Sequence, residues 1–276
     1  MRLNVMGDLH YCFMENGTVE MLEARDKVYA DILEHFVRED AQFHISIGDL
    51  THEGMSEEFD YVFNRINNAG RSLIHVLGNH DTYLLPKAEV VAITKQQRYH
   101  AIDSEEALLL FLDTTKEMNR DDWGGEIDTE QLEWLQAKLE ESGNKPVLVF
   151  AHHPVYGTTA RSTEEKMSID PQVNMIEVLN KKQGPGFYFC GHNHVNSIVR
   201  QEGWYFIQTA ACLDVPAYRR VELNEKEIHI ELITIDQTDL ADHIGLFITK
   251  IPGLTPVLEA YGEEADGYLR VVFSDN

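Results

Sequence analysis

The stretch FYFCGHNHVN, residues 187–196, places two histidines two positions apart where an apolar run stops. Phe187 to Cys190 read as a short buried strand that Gly191 breaks, so His192 and His194 fall on the loop that follows. Because alternate residues of an extended segment point the same way, both imidazoles can converge on one point, which could hold a metal ion. A lone pair of this kind is more often structural than metal-binding, so the hypothesis needs partners elsewhere in the chain.

The same order of apolar strand and polar loop recurs along the chain. Strand-like runs alternate with helix-patterned stretches such as VEMLEARDKVYADILEHFVRED and DTEQLEWLQAKLEES; the runs are RLNVMG, FHISIG, SLIHVLG and KPVLVFA. Strand followed by helix, repeated, predicts a parallel-type sheet flanked by helices. From about residue 194 the runs HVNSIVR, WYFIQTA, YRRVELN and EIHIELITI are joined by short turns, which predicts an antiparallel meander. The sequence therefore predicts an α/β architecture in which two sheets lie between helices.

The chain shows no internal repeat, low-complexity tract or Pro/Gly/Ser linker, so we expect one domain over residues 1–276. The gaps at 11–18, 114–128 and 153–170 are candidate site loops, because long loops in a compact domain are usually functional or disordered. The last stretch, roughly 238–276, is acidic and interrupted by prolines. Its role stays open between covering a sheet edge and forming an oligomer contact.

Composition excludes several classes of protein. The 276 residues are 43% hydrophobic, enough for a large core, and the three cysteines show no CxxC spacing, which favours a reducing cytoplasm. The formal charge of −24 repels polyanions, so nucleic acid is not an expected partner without a local cationic feature such as bound metal ions. No apolar run approaches the ~18 residues of a membrane span, so no membrane partner is expected.

Five predicted strands end in groups that can bind metal. The clusters are Asp8 and His10 in MGDLH, Asp49 in IGDLTH, Asn79, His80 and Asp81 in LGNHD, His152 and His153 in FAHHP, and His192 and His194 in CGHNH. Each cluster alone is ordinary, because Asp and Asn are common turn and helix-capping residues. Strand ends of an α/β sheet share one edge, so five such clusters predict a common site.

The ordered motifs D-x-H, GD, GNHD, HHP and GHNH, over roughly residues 3–210, resemble the calcineurin-like metallophosphoesterases. Their form is most similar to the bacterial class III cyclic-nucleotide and glycerophosphodiester phosphodiesterases. The resemblance implies a four-layer αββα sandwich of two mixed β-sheets flanked by helices, with two metal ions per chain in a cleft. Imidazole, carboxylate and amide ligands without thiolate suit Mn, Fe, Zn or Co.

The resemblance also implies a role for each cluster. The ligands divide into two sets and a bridge: Asp8, His10 and His194 for one metal, Asn79, His152 and His192 for the other, and Asp49 between them. A bridging carboxylate offsets the repulsion between cations ~3.5–4 Å apart. His80 is implied to be a proton donor or charge stabiliser, and Asp81 is either the partner of its other nitrogen or a turn cap.

Four further residues are candidate substrate contacts. His153 follows the implied ligand of HHP, and would line the cleft or orient substrate. His52 stands three residues after the bridging aspartate, where purple acid phosphatases have a metal-bound tyrosine; it lies near the first metal or hydrogen-bonds within its loop. Tyr156 and Arg161 either contact a substituent of the phosphate or belong to a solvated loop.

The activity implied by the resemblance is hydrolysis of phosphodiester bonds in small molecules, of cyclic-nucleotide or glycerophosphodiester type, by a metal-bridging hydroxide. Phosphomonoesterase activity is the alternative within the same chemistry. A metal-free protein-interaction scaffold is the alternative from another class, and would be expected to lose ligands. The chain has all seven implied ligands, which favours the enzyme. The expected partner is a small phosphate ester, and an oligomer is compatible with the sequence.

Overall fold

The computed structural model describes residues 1–236 and 239–273 and places twelve strands of this range in two six-stranded sheets. The first sheet holds β1 (Arg2–Met6), β2 (Phe43–Ser46), β3 (Leu73–His75), β10 (Ala217–Leu223), β11 (Glu227–Thr234) and β12 (Tyr268–Val272). Its order is β12-β11-β10-β1-β2-β3. β1, β2 and β3 pair in parallel, whereas β10, β11 and β12 join in antiparallel fashion, so the sheet is mixed.

The second sheet is formed by the middle of the chain. It holds β4 (His100–Asp103), β5 (Leu108–Phe111), β6 (Val147–Phe150), β7 (Gly186–Cys190), β8 (Ser197–Gln201) and β9 (Trp204–Gln208). Its order is β4-β5-β6-β7-β9-β8, with parallel pairing from β5 through β9 and an antiparallel strand at each edge. The predicted single meander is therefore wrong: its hairpins are divided between the two sheets, and β9 runs parallel to β7.

Six α-helices of the described range cover the outer faces. They are α1 (Val19–Arg38), α2 (Ser56–Asn68), α3 (Lys87–Thr94), α4 (Thr129–Glu141), α5 (Met175–Leu179) and α6 (Leu240–Phe247). Side-chain caps fix two helix starts, because Thr18 Oγ1 accepts from the Met21 amide and Asp128 Oδ1 from the Gln131 amide. Within the described residues, no helix combines the length and apolar character that crossing a bilayer requires.

Three apolar clusters hold these layers together. One lies between the sheets and includes the stacked rings of Phe111, Phe150 and Phe189, with centroids 5.1 and 5.0 Å apart. A second packs α1, α2 and α6 on the first sheet, and a third packs α4 and α5 on the second. The order helix, sheet, sheet, helix confirms the four-layer sandwich predicted from the sequence.

The C-terminal stretch, whose role the sequence did not predict, makes three kinds of contact in the described range 239–273. Its helix α6 packs against α1 in the first apolar layer, and β12 extends the edge of the first sheet. Between them, residues 248–257 run past the loop that follows β2, where the Pro252 carbonyl lies 2.7 Å from His52 Nε2. Residue 238, where this stretch was expected to begin, lies outside the described residues.

Candidate metal centre

The polar clusters of both sheets meet at one end of the sandwich. Asp8 and His10 follow β1, Asp49 follows β2, and Asn79 follows β3, all in the first sheet. His152 follows β6, and His192 and His194 follow β7, in the second. The sequence predicted one shared edge; the structure instead joins the carboxyl ends of parallel strands from two facing sheets.

Three of these side chains form the first group. The Nε2 atoms of His10 and His194 lie 3.0 Å apart, and His194 Nε2 lies 3.3 Å from Asp8 Oδ2. Asp8 is fully buried, and it also accepts a 2.9 Å hydrogen bond from the His192 amide through Oδ2. The first group therefore presents two imidazole nitrogens and one carboxylate oxygen to a single point.

The second group forms around His152. Its Nε2 lies 3.0 Å from Asn79 Oδ1 and 3.1 Å from His192 Nδ1, while its Nδ1 faces the Ile47 carbonyl at 3.1 Å. Asp49 lies between the groups, with Oδ2 3.4 Å from His152 Nε2 and 3.7 Å from His10 Nε2. All seven side chains that the resemblance implied as ligands are thus brought together, with Asp49 in the middle.

The protonation of the imidazoles follows from burial and from their carboxylate neighbours. Burial, and then the charge of His80, hold the pKa of His10 well below its usual value, and burial with His152 lowers the pKa of His192 to about 3. Burial also acts downward on His152, but the Asp49 carboxylate outweighs it and raises that pKa to about 9. His194 is buried too, and its hydrogen bonds to Asp214 and Asp8 raise its pKa to about 10.

The donor set fits divalent or trivalent cations. The Nε2 atoms of His10 and His194 face each other. A proton between them is bonded to one nitrogen and hydrogen-bonded to the other, whereas a metal cation can accept the lone pairs of both nitrogens at once. Asp8 Oδ1 is buried and finds no hydrogen-bond partner among residues 1–236 and 239–273. A buried carboxylate oxygen without a partner is costly, and a cation at the first group would compensate it.

Four of the seven residues have left-handed backbone conformations. The φ angles are 49° at His10, 47° at Asp49, 69° at His192 and 57° at His194. This region is uncommon for residues other than glycine, and each such residue costs of order 1–3 kcal/mol when the surroundings force it. The concentration of strained residues at one point indicates that the loops are shaped for a site rather than for the stability of the fold.

Two motif glycines allow the loops to approach one another. A Cβ on Gly78 would lie 2.0 Å from the Asp49 amide nitrogen and 2.2 Å from its Oδ1. A Cβ on Gly191 would lie 2.1 Å from Asp8 Oδ1. Any other residue would push these carboxylates away, so the glycines of GNHD and CGHNH follow directly from the packing of the two aspartates.

The structure separates the roles considered for His80 and Asp81. His80 Nδ1 lies 2.7 Å from the His52 carbonyl, and the His80 amide donates to Asp49 Oδ1 at 2.8 Å. Asp81 is fully buried and accepts hydrogen bonds from the amides of Thr51 at 2.9 Å and Gly78 at 2.9 Å. Asp81 therefore has the position of a turn cap that connects the loops after β2 and β3. The partner of His80 Nδ1 is the His52 carbonyl and not Asp81.

The four candidate substrate contacts lie in different surroundings. His52 and Arg161 line the cleft above the two groups. His153 is buried, with Nδ1 2.9 Å from Thr114 Oγ1 and Nε2 2.9 Å from the Trp123 carbonyl, so both nitrogens already have protein partners. Tyr156 lies in a separate surface hollow with Lys116 and Asp122. His153 therefore lies beside the second group, with its ring centroid 4.3 Å from that of His192, but does not line the cleft, and Tyr156 lies away from the cleft.

The cleft has a volume of about 410 Å³ and is walled by two of the three expected site loops, 114–128 and 153–170, and by the C-terminal stretch, whereas the expected loop 11–18 does not line it. Arg120 comes from the loop 114–128, Arg161 from the loop 153–170, and Leu254 from the C-terminal stretch. Both arginines are paired with glutamates, Arg120 with Glu53 and Arg161 with Glu164. Their charges are therefore partly neutralised.

Two residues that support the groups were missed by the sequence reasoning. Asp214 Oδ2 lies 3.2 Å from His194 Nδ1, so it orients that ring from the side opposite Asp8. Tyr83 accepts a 2.7 Å hydrogen bond from Asn79 Nδ2, which turns the amide oxygen toward His152. The spacing of four between Asn79 and Tyr83 was a usable signal in a helical turn, whereas Asp214 lies in a loop without a motif.

The class of protein follows from this fold and from the site between its two sheets. Residues 1–196 match the model of the calcineurin-like phosphoesterase family, and the chain belongs to that family. The family predicted from the ordered motifs is therefore confirmed.

Particular relatives are more distant. The chain is 26% identical over 153 residues to the glycerophosphodiester phosphodiesterase GpdQ of Enterobacter lignolyticus, which covers 53% of this chain and 54% of that protein. It is 27% identical over 161 residues to a probable cyclic nucleotide phosphodiesterase of Rhodopseudomonas palustris, covering 56% and 57%. The chain thus spans about half the length of the curated relatives it matches.

Solved structures share the fold. A dimetal phosphatase from Danio rerio superposes with a TM-score of 0.70 at 16% identity, covering 86% of this chain and 96% of that one. A purple acid phosphatase from yellow lupin gives a TM-score of 0.56 at 12% identity, covering 85% and 51%. At such identities the likeness concerns the fold alone.

Proposed function

We propose that this protein is a phosphodiesterase that hydrolyses small phosphodiesters with two metal ions, of Mn, Fe, Zn or Co, held by the two groups. The observation that supports it most is the convergence of seven ligand-type side chains on two adjacent points, with Asp49 Oδ2 within 3.7 Å of an imidazole nitrogen from each group. Bound ions of this kind polarise phosphoryl oxygens and lower the pKa of bound water toward neutrality.

The residues of the chain supply orientation and a proton. Asp49 is held at both oxygens, since Oδ1 accepts from the His80 amide and Oδ2 faces His152 and His10. His80 is the proton donor to the leaving oxygen in this proposal. With Nδ1 donating to the His52 carbonyl at 2.7 Å, the mobile proton of the ring is carried at Nε2.

Apart from the bound ions themselves, the charges of the protein around the cleft favour a diester over a monoester. A monoester carries about one more negative charge than a diester near neutral pH, because the second pKa of a phosphate monoester is about 6. The two arginines that line the cleft are each paired with a glutamate, and the whole chain has a formal charge of −24. The names of two curated relatives, both phosphodiesterases, support the same choice.

The test compares bis(p-nitrophenyl) phosphate with p-nitrophenyl phosphate after the protein has been stripped of metal and reloaded with Mn²⁺, Co²⁺ or Zn²⁺. We expect no activity in the stripped protein, and a kcat/KM for the diester at least about fivefold above that for the monoester, the factor that corresponds to the ~1 kcal/mol between two unit charges about 4 Å apart in water. Asp49→Asn should abolish the activity, and Asp60→Asn, an exposed aspartate on α2, is the matched control.

Faster cleavage of the monoester would replace the proposal by a phosphomonoesterase. A folded protein that binds no metal and cleaves neither ester would contradict both, and would favour the interaction-scaffold alternative.

A further inference from the structure

An apolar groove adjoins the cleft. It has a volume of about 520 Å³, and its apolar lining comes from Cys12, Phe13, Met14, Met21 and Met55. Glu53 and Pro252 belong to the walls of both hollows, so the groove and the cleft are neighbours that share these two residues. Phe13, which lines the groove, is 43% exposed.

The groove is held in shape by one buried carboxylate. Glu58, in the first turn of α2, accepts a 3.0 Å hydrogen bond from the Phe13 amide through Oε1. Its Oε2 accepts from the amides of Glu53 at 2.9 Å and Met55 at 3.2 Å. Because Glu58 is fully buried and binds both walls, the groove is formed before any ligand arrives.

The groove lies within reach of the metal centre. Phe13 follows His10 by three residues, so their Cα atoms are at most about 11 Å apart. The opposite wall begins at Glu53, four residues after the bridging Asp49. A substituent on a phosphorus atom at the metal centre therefore reaches the groove with a chain of up to about nine bonds, since an extended chain advances about 1.2 Å per bond.

We propose that this groove binds an uncharged aliphatic substituent of the phosphodiester, an inference that rests on the proposed function. Three methionines give a flexible and polarisable wall that adapts to a flexible chain. Glu15 and Glu53 outnumber Lys250 among the charged residues of the groove, which disfavours a second anionic group. The groove thus selects the alkyl side of the substrate, while the metal centre takes the phosphate.

The test is a series of p-nitrophenyl alkyl phosphates, from methyl to dodecyl, with the same leaving group throughout. We expect kcat/KM of the metal-loaded protein to rise about fourfold for each methylene that enters the groove, the factor that follows from burying one CH₂, until the groove is filled. The rise should appear mainly in KM, because contacts remote from the phosphorus are made equally in the ground and transition states.

Phe13→Ser should flatten the series, and Met55→Gln is the second variant if the first fails to fold. Val272→Ser is the matched control, because Val272 is 63% exposed on β12. β12 pairs with the half of β11 that lies farther from the metal centre. The control should keep the slope of the parent.

The outcomes separate the two proposals. If the methyl ester is not cleaved by the metal-loaded protein, the proposed function fails. If methyl and dodecyl esters are cleaved alike, the phosphodiesterase stands and the groove assignment is overturned. The groove assignment is also overturned if kcat/KM still rises with alkyl chain length in both Phe13→Ser and Met55→Gln. A preference for aryl over alkyl groups of equal size has the same consequence.

Discussion

At the scale of single residues, the position of Asp214 makes a prediction that the motifs do not contain. Its Oδ2 lies 3.2 Å from His194 Nδ1, so it fixes the ring and increases the basicity of the nitrogen that faces Asp8. Asp214→Asn should weaken metal binding by about 10–100-fold, the usual effect of removing a partner of a metal-binding histidine. Calorimetric titration of the stripped protein with Mn²⁺ measures this.

The exposed Asp60→Asn serves as control for the loss of one negative charge from the chain. Affinities for Mn²⁺ that are equal in the Asp214→Asn protein and in the control would contradict the orienting role.

The limits of sequence reasoning are also clearest at this scale. His152 and His153 are indistinguishable by residue type, and only the structure shows that His153 is engaged by Thr114 and Trp123 while His152 faces the two groups. Asp81 is of a residue type that often pairs with a catalytic histidine, but its carboxylate accepts hydrogen bonds from the amides of Gly78 and Thr51. Hydrogen-bond geometry decides the roles of these residues, and that geometry cannot be predicted from the neighbouring sequence.

At the scale of elements, the loops after the strands depend on their glycines. Gly78→Ala would place a Cβ 2.0 Å from the Asp49 amide nitrogen, so the loops after β2 and β3 must separate. We expect a loss of about 1–3 kcal/mol in the free energy of unfolding, the usual cost of overpacking, together with loss of metal-dependent activity. Chemical denaturation and the diester assay measure the two effects.

Gly267→Ala is the matched control, since a Cβ there meets no atom within 4 Å. Its free energy of unfolding should stay within about 0.5 kcal/mol of the parent, as for most surface substitutions. A Gly78→Ala protein as stable and active as this control would show that the two loops are not in contact as described.

Elements were predictable where the residue pattern has a clear period. Helix α1 shows buried residues at helical spacing behind a capping threonine, and α4 follows a capping aspartate. Strand β5, LLLF, is buried along its whole length, and a short apolar run gives no period by which to assign it. The partition of the late hairpins between two sheets was equally hidden, because pairing between distant strands is set by packing in three dimensions.

At the scale of the whole molecule, the candidate metal centre lies between the two sheets and takes side chains from both. The first sheet supplies Asp8, His10, Asp49 and Asn79, and the second supplies the remaining three side chains. Ions that bind the folded state alone should stabilise it by about 2.7 kcal/mol at a hundredfold excess over Kd, which corresponds to roughly 5–10 °C in Tm for a chain of this size.

Scanning calorimetry of the stripped protein with and without Mn²⁺ tests this expectation, and the same titration of Asp49→Asn is the control. A Tm that does not respond to the ion in the parent would argue against binding at this junction.

The order of strands in the first sheet has a consequence for synthesis on the ribosome. β1, residues 2–6, has β10 as one of its two neighbours, and β10 begins at residue 217. At translation rates of ~5–20 residues per second, β1 waits roughly 10–40 s for that neighbour. All six strands of the second sheet, residues 100–208, emerge during this interval, while one edge of β1 stays open to pairing with other nascent chains. This edge of β1 is therefore one that a chaperone acting on nascent chains would shield during this interval.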